Sequence, residues 1–360
     1  MVGIVSYGAY IPVYRLSREI LNQVWGGGGR GEKAVANADE DSLTMGVEAA
    51  RDCLKGIEKD SIDTLYFAST SFPYKEKQSA SIMVAALDLP EDIVTADIGS
   101  SLRSGTIALR MALDAVKAGS ANRALVIVAD CRCPYPNSAY EPVFGDGAAA
   151  FLIGKDGVAT EIEGSHYISS EFVDNWREDL DRSVKSWEDR FIREEGYAPY
   201  VQKAVSDLLK THNLDMKAFS KVAFSAMNEG THRAMVRTLR LDPAQVQDPL
   251  FNTVGNVGAA FAPMMLVGAL EEAKAGDRIL LANYGDGAEA HILRVTENIE
   301  KLKDRKGIKK NLGSKLMLDN YGKYVKFRKL MEFEPNLEPP LRTSLPDLWR
   351  NRQWVYRFHG

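Results

Sequence analysis

The stretch FGDGAAAFLIG (144–154) returns as YGDGAEAHIL (284–293), so a Gly-Asp-Gly turn running into an apolar strand occurs twice in the chain. Two further pairs match in the same order. AVKAGSANRALVI (115–127) returns as EEAKAGDRILLA (271–282), and LYFASTS (65–71) returns as VAFSAMN (222–228). Lys117 and Lys274 are 157 residues apart, as are Phe67 and Phe224, whereas Gly145 and Gly285 are 140 apart. The shorter offset places about 17 extra residues in the first half, mostly in CRCPYPNSAYEPV (131–143). Strands such as ALVIVAD (124–130) are apolar throughout rather than alternating, as expected of a sheet covered on both faces. Three matched pairs in order predict a duplicated α/β fold.

The halves are read as residues 1–155 and 156–297, the second opening with the charged, aromatic insertion EFVDNWREDLDRSVKSWEDRFIREEGY (171–197). A third segment, 298–360, changes character. Its first part, NIEKLKDRKGIKKNLGSK (298–315), reads as a solvated linker or helix face. Its end, interrupted by Pro335, Pro339, Pro340 and Pro346, cannot form a continuous helix. The cluster of Trp349, Trp354, Tyr356 and Phe358 there needs a surface to pack on, either the chain's own body or a partner.

The 360 residues are 45% hydrophobic and 26% charged, an ordinary globular mix, with a formal net charge of −4. That balance gives no electrostatic reason to expect nucleic acid or an anionic membrane. Three cysteines (Cys53, Cys131, Cys133) are too few for a disulfide framework and indicate a reducing compartment. MVGIVSYGAYIP enters an apolar strand with no basic region before it, unlike a signal peptide. No apolar run approaches the ~18–20 residues of a membrane span. The cytoplasm is the expected location.

In ADIGSSLRSGT (96–106), strand, small-residue turn and buried helix follow one another like the mouth of an active site. Leu102 stands where the chemistry would sit. Together GIVSYGAYIPVYRL (3–16), ADEDSLTMGVEAAR (38–51), FGDGAAAFLIG, NWR (175–177), GYAPYVQKAV (196–205) and NTVGNVG (252–258) resemble the hydroxymethylglutaryl-CoA synthase family, close to ketoacyl synthase III in the thiolase superfamily. The resemblance covers residues 1–297, and KYVKFRKLM (323–331) continues it. It implies a thiolase fold: two similar α/β halves stacked as α-β-α-β-α, dimerising through the first half.

The resemblance also implies three catalytic groups. A cysteine at a helix start takes an acyl group from acyl-CoA. A glutamate is the general base, and a histidine with a nearby asparagine binds the thioester oxygen. The family's cysteine stretch here reads Leu102-Arg103-Ser104-Gly105-Thr106, its glutamate position is Thr70 in Ser69-Thr70-Ser71-Phe72-Pro73-Tyr74, and its histidine position is Ser225 in Ser225-Ala226-Met227-Asn228. Asn256 alone is retained. Leucine forms no thioester, threonine is no base near neutral pH, and serine is a weak oxyanion donor. The family reaction is not expected here. Leu102 and Phe72 add apolar bulk and should narrow the acyl-CoA pocket.

Relocated chemistry would fall to Ser101 or Ser104, each needing a base in reach. Of the five histidines (His166, His212, His232, His291, His359) none occupies the family position, and His232 reads as a helix residue. Cys131 and Cys133 lack further ligands for zinc. The Gly26–Gly29 run lacks the spacing of a phosphate loop, and Asp39-Glu40-Asp41 reads as a helix start. No metal site is expected in this chain.

A member without its catalytic groups is expected to be a structural subunit. The chain is similar to the synthase-like subunit of bacterial diacetylphloroglucinol acetyltransferase, which works with a thiolase and a zinc-ribbon/OB-fold protein. The tail RTSLPDLWRNRQWVYRFHG (342–360) resembles the lead-in helix of that zinc-ribbon/OB-fold family. The expectation is a non-catalytic subunit of an acyl-CoA acyltransferase or thiolase complex, with acyl-CoA as ligand, zinc only in a partner, and residues 298–360 as the docking segment. The alternative is a divergent acyltransferase, hydrolase or retro-aldol lyase of the same fold.

Overall fold

The repeat in the sequence is a repeat in space. The structure, a computed structural model, describes residues 1–331. The first half contributes β1 (Gly3–Tyr10), β2 (Thr64–Ala68), β3 (Val94–Ile98), β4 (Ala124–Asp130) and β5 (Gly147–Gly154). The second contributes β6 (Thr160–Ser169), β7 (Lys221–Phe224), β8 (Arg278–Tyr284) and β9 (Gly287–Val295). They form one sheet in the order β3-β2-β4-β5-β1-β6-β9-β8-β7. Parallel pairs β2/β4 and antiparallel pairs β4/β5 and β5/β1 in one half match β7/β8, β8/β9 and β9/β6 in the other. A parallel bridge from Val222 to Val246 stands where β3 stands in the first half. Among the strands, the halves meet where Gly3 and Ile4 of β1 pair with Glu161 and Thr160 of β6.

Helices α1 (Ser42–Cys53) and α2 (Ser79–Leu87) cover the outer face of the first half, and α4 (Ala198–His212) covers that of the second. Between the two halves of the sheet lie α3 (Ser104–Ala118) and α6 (Phe261–Glu272), while α5 (Glu229–Thr238) follows β7. Every residue of α6 from Phe261 to Leu270 is buried. A helix apolar all round must be enclosed, and FAPMMLVGAL has no polar face to offer water. The result is the expected five-layered thiolase fold. Asp41 caps α1, its carboxylate accepting from Thr44 N at 2.8 Å while Thr44 Oγ1 accepts from Asp41 N at 2.8 Å.

Residues 298–331 depart from the reading of their first part as a solvated linker. They fold back onto the first half because their charges are divided between two faces. Lys301, Lys303 and Lys309 are exposed. Arg305 is buried and donates to Ser6 Oγ at 3.0 and 3.2 Å, and the Asp52 carboxylate accepts from Lys306 N at 2.7 Å and Gly307 N at 2.9 Å. Leu316 and Met317 pair with Tyr14 and Arg15, and Tyr324 is fully buried. Arg328 forms a 3.2 Å ion pair with buried Asp146 and donates to the Cys131 carbonyl at 3.0 Å. The aromatic tail, including Trp349 and Trp354, lies outside the described residues.

Candidate functional site

β3 ends at Ile98, and the next five residues turn the chain into α3. Ser100 takes a left-handed φ of 68° in this turn. Arg103, buried at the helix start, fixes the turn to the other half by donating to the Gly285 carbonyl and, at 2.8 Å, to the Asp286 carbonyl. A Cβ on Gly285 would stand 3.0 Å from Leu102 Cβ, so the second Gly-Asp-Gly turn can lie this close only as glycine. The first such turn does the same in reverse. A Cβ on Gly145 would land on the Val254 carbonyl, next to Asn256.

The structure brings Leu102, Ser225 and Asn256 together. They line a cavity of about 30 Å³ with Arg132, Phe144, Tyr197 and Tyr284. That volume holds one water. Ser225 Oγ accepts from Tyr284 N at 2.9 Å, and the Ser225 carbonyl accepts from Tyr197 Oη at 2.8 Å. Asn256 Nδ2 donates to the Ala226 carbonyl at 2.9 Å, and its Oδ1 accepts from Gly258 N at 2.9 Å. Both polar ends of the Asn256 side chain are bound to the backbone.

Thr70 opens onto an adjoining cavity of about 430 Å³, shared with Phe72, Ser101, Leu102, Arg132 and Asn175. Its Oγ1 donates to Asp130 Oδ2 at 2.8 Å and its N to Oδ1 at 2.8 Å. Asp130, fully buried at the end of β4, also accepts from Ser69 Oγ (2.9 Å), Ser71 Oγ (2.7 Å) and Ala259 N (2.7 Å). Phe72 packs edge-on to Phe67, with centroids 5.4 Å apart, and crowds Gly99. Leu102 and Phe72 both line this cavity.

Among the described residues neither fallback serine has a base within hydrogen-bond reach. Ser101 Oγ lies 3.4 Å from the Gly285 carbonyl and accepts from Arg103 N at 3.2 Å, while Ser104 Oγ is buried without a partner. His232 sits on α5 and stacks on Phe224 at 4.3 Å, and burial pulls its pKa down to about 4. His291 meets Ser165 Oγ at 2.9 Å, on β9. Cys131 is close to Arg328, and burial pushes its thiol well above the ordinary range. Among the described residues no cluster of three or more His, Cys, Asp or Glu could hold a metal, and no helix is long and apolar enough to cross a membrane.

Two residues at the site were missed in the sequence. Arg132 reaches both cavities, its guanidinium 4.1 Å from the Phe144 ring centroid. Asp174, carried in by the insertion, is buried, which raises its carboxyl pKa, and Tyr284 is its neighbour. In CRC (131–133) the extended backbone alternates, placing Cys131 and Cys133 on one side and Arg132 on the other. That alternation was the available signal for Arg132.

The model of 3-oxoacyl-[acyl-carrier-protein] synthase III matches residues 96–172, and its C-terminal model matches residues 209–295. The chain is 31% identical over 345 residues to the hydroxymethylglutaryl-CoA synthase of Methanopyrus kandleri, covering 92% of this chain and 98% of that protein. It is 32% identical over 342 residues to that of Methanocaldococcus jannaschii, covering 91% and 99%. Among solved structures, MvaS in complex with 3-hydroxy-3-methylglutaryl coenzyme A superposes with a TM-score of 0.80 at 19% identity, over 94% of each chain.

Proposed function

The chain belongs to the hydroxymethylglutaryl-CoA synthase family, and we propose that within it this protein is a non-catalytic, structural subunit of an acyl-CoA acyltransferase or thiolase complex. One observation carries the reading. Leu102 stands just before α3, where the sequence resemblance puts the family's nucleophile, and it faces a cavity of about 30 Å³. The three companion positions support it. Thr70 is tied to Asp130, Ser225 to the Tyr284 amide, and Asn256 to the backbone of Ala226 and Gly258. The fold around them is the family's.

Such a subunit would hold acyl-CoA at the mouth or frame the active site of a thiolase-like partner. A zinc-ribbon/OB-fold protein, as in the diacetylphloroglucinol acetyltransferase that the sequence resembles, is the proposed third member. The test is recovery of the tagged chain from its native host with every partner identified by mass, alongside incubation of the purified chain with acetyl-CoA. A thiolase-like partner and no acyl adduct on this chain are expected. Turnover by the chain alone, or an acetylated serine in residues 100–104, would overturn the reading in favour of a divergent enzyme.

A further inference from the structure

We propose that Ser165, His291 and Glu289 form a second chemical site in this chain, a serine–histidine–glutamate relay that hydrolyses small uncharged carboxylic esters. It lies outside the site described above, since none of the three lines either cavity.

The duplication supplies an internal reference. Glu289 and His291 follow the second Gly-Asp-Gly turn at the places that Ala149 and Phe151 hold after the first, 140 residues earlier. His291 pairs with Ser165 and Glu289 with Tyr167 across β9 and β6, as Phe151 pairs with Tyr7 and Ala149 with Ala9 across β5 and β1. In the first half these four positions are aromatic and alanine packing, each no more than 2% exposed. The fold is satisfied by such packing, yet the second half holds a serine, a histidine, a glutamate and a tyrosine there.

Burying those groups costs stability unless each finds a partner. Glu289 is fully buried, and neither of its carboxylate oxygens has a hydrogen-bond partner among the described residues. Arg103 Nη1 stands 3.9 Å from one oxygen, but that guanidinium already donates to the Gly285 and Asp286 carbonyls. His291 Nε2 stands 3.7 Å from the other oxygen and is also unpartnered. On the opposite side of the ring, Nδ1 meets Ser165 Oγ at 2.9 Å. These partners assign the tautomer: Nε2 carries the proton towards Glu289, and Nδ1 accepts from the serine hydroxyl. A carboxylate so placed orients the imidazole and offsets the charge it gains with the serine proton. The 3.7 Å gap is of the kind that closes as that charge forms.

Ser165 is half-buried on the face turned to α3, with the Tyr167 hydroxyl beside it. Arg110 Nη1 donates to Tyr167 Oη at 3.5 Å, which leaves the phenol O–H to donate to a developing oxyanion. Asp114 holds Arg110 at 2.6 Å, so the cation at this site is already neutralised, which favours an uncharged ester over a nucleotide-bearing thioester. Ser165 Oγ adds to the acyl carbon as His291 Nδ1 takes its proton. The C–O bond to the alcohol then breaks, Nδ1 gives the proton to the departing oxygen, and the acyl group stays on Ser165. Water adds by the same route, its proton passing through Nδ1 to Oγ, and the carboxylic acid leaves.

The test uses the full chain with a fluorophosphonate probe and with p-nitrophenyl acetate. The probe is expected to mark Ser165, read by peptide mass spectrometry, and Ser165→Ala should lose both the adduct and ester turnover. His291→Gln should lower kcat at least about hundredfold. Glu289 acts through His291, so Glu289→Gln should lower kcat at least about tenfold with KM and melting temperature unchanged. No adduct on Ser165, an adduct without turnover, turnover that survives Ser165→Ala, or Glu289→Gln as active as wild type would each overturn the proposal. The structural-subunit reading is tested with acetyl-CoA at residues 100–104, so neither result decides the other.

Discussion

The Thr70 hydroxyl donates to the Asp130 carboxylate at 2.8 Å, so this threonine is bound into a buried knot at the end of β4. Five donors meet that carboxylate, and none of them is a cation. Thr70→Val removes one and is expected to cost about 1 kcal/mol. Asp130→Ala strands all five and is expected to cost about 3 kcal/mol or more. Urea midpoints of the two variants will check the ranking, and a smaller loss for Asp130→Ala would contradict the knot.

Leu102→Cys restores a thiol at the start of α3, where the helix dipole favours thiolate. The native thiols are poor competitors, since burial pushes Cys53 up to about 12 and Cys131 also upward. Iodoacetamide is expected to label the new thiol at least about tenfold faster than any native one, read by mass spectrometry. With Thr70 and Ser225 unchanged, acetyl-CoA turnover should remain absent. Labelling no faster than wild type would mean that the helix start is closed to solvent.

His232 is held neutral by burial, its pKa lowered from 6.5 to about 4. Between those values the unfolded chain binds a proton that the folded chain refuses, so stability rises with pH across the window. The contribution is complete above about 6.5 and is lost as pH falls towards 4. His232→Phe keeps an aromatic ring against Phe224 and removes this term, so the wild-type-minus-variant difference in stability should rise with pH over this range. Denaturant midpoints at pH 4, 5, 6 and 7 provide the comparison, and parallel curves would remove His232 as the cause.

Arg328 and Asp146 form an ion pair that is buried on both sides, with side chains 8% and 4% exposed. Arg328→Met leaves the Asp146 charge unpaired and is expected to cost about 3–5 kcal/mol. Adding Asp146→Asn should recover much of the loss. Hydrogen exchange over residues 305–331 should accelerate in the single variant first. Additive losses in the double variant would mean that the two charges are not coupled.

The duplication was legible because each half repeats a local sentence: a turn glycine, an apolar strand and Gly-Asp-Gly, all set by short-range backbone demands. Leu102, Thr70, Ser225 and Asn256 could be grouped in the sequence because each sits near an element boundary of that repeat; Leu102, Ser225 and Asn256 line one cavity and Thr70 the adjoining one. Arg132, Asp174 and Arg328 were not. Arg132 depends on which way one extended residue points, and Asp174 on where an irregular insertion settles. Arg328 needs a partner 182 residues earlier, Asp146. The charge run at 298–315 misled because the sequence shows the number of lysines but not the one arginine, Arg305, that turns inward.

The two Gly-Asp-Gly turns hold more than their own strands. Gly145 shapes the loop that carries Asn256, and Gly285 shapes the loop that carries Leu102. Each half is therefore the mould for the other's functional loop, and neither can set its own. A gene fragment encoding one half would supply a helix start with nothing to define it. Drift in either copy is read out in its sibling, which ties the two repeats to a common fate long after their sequences have parted.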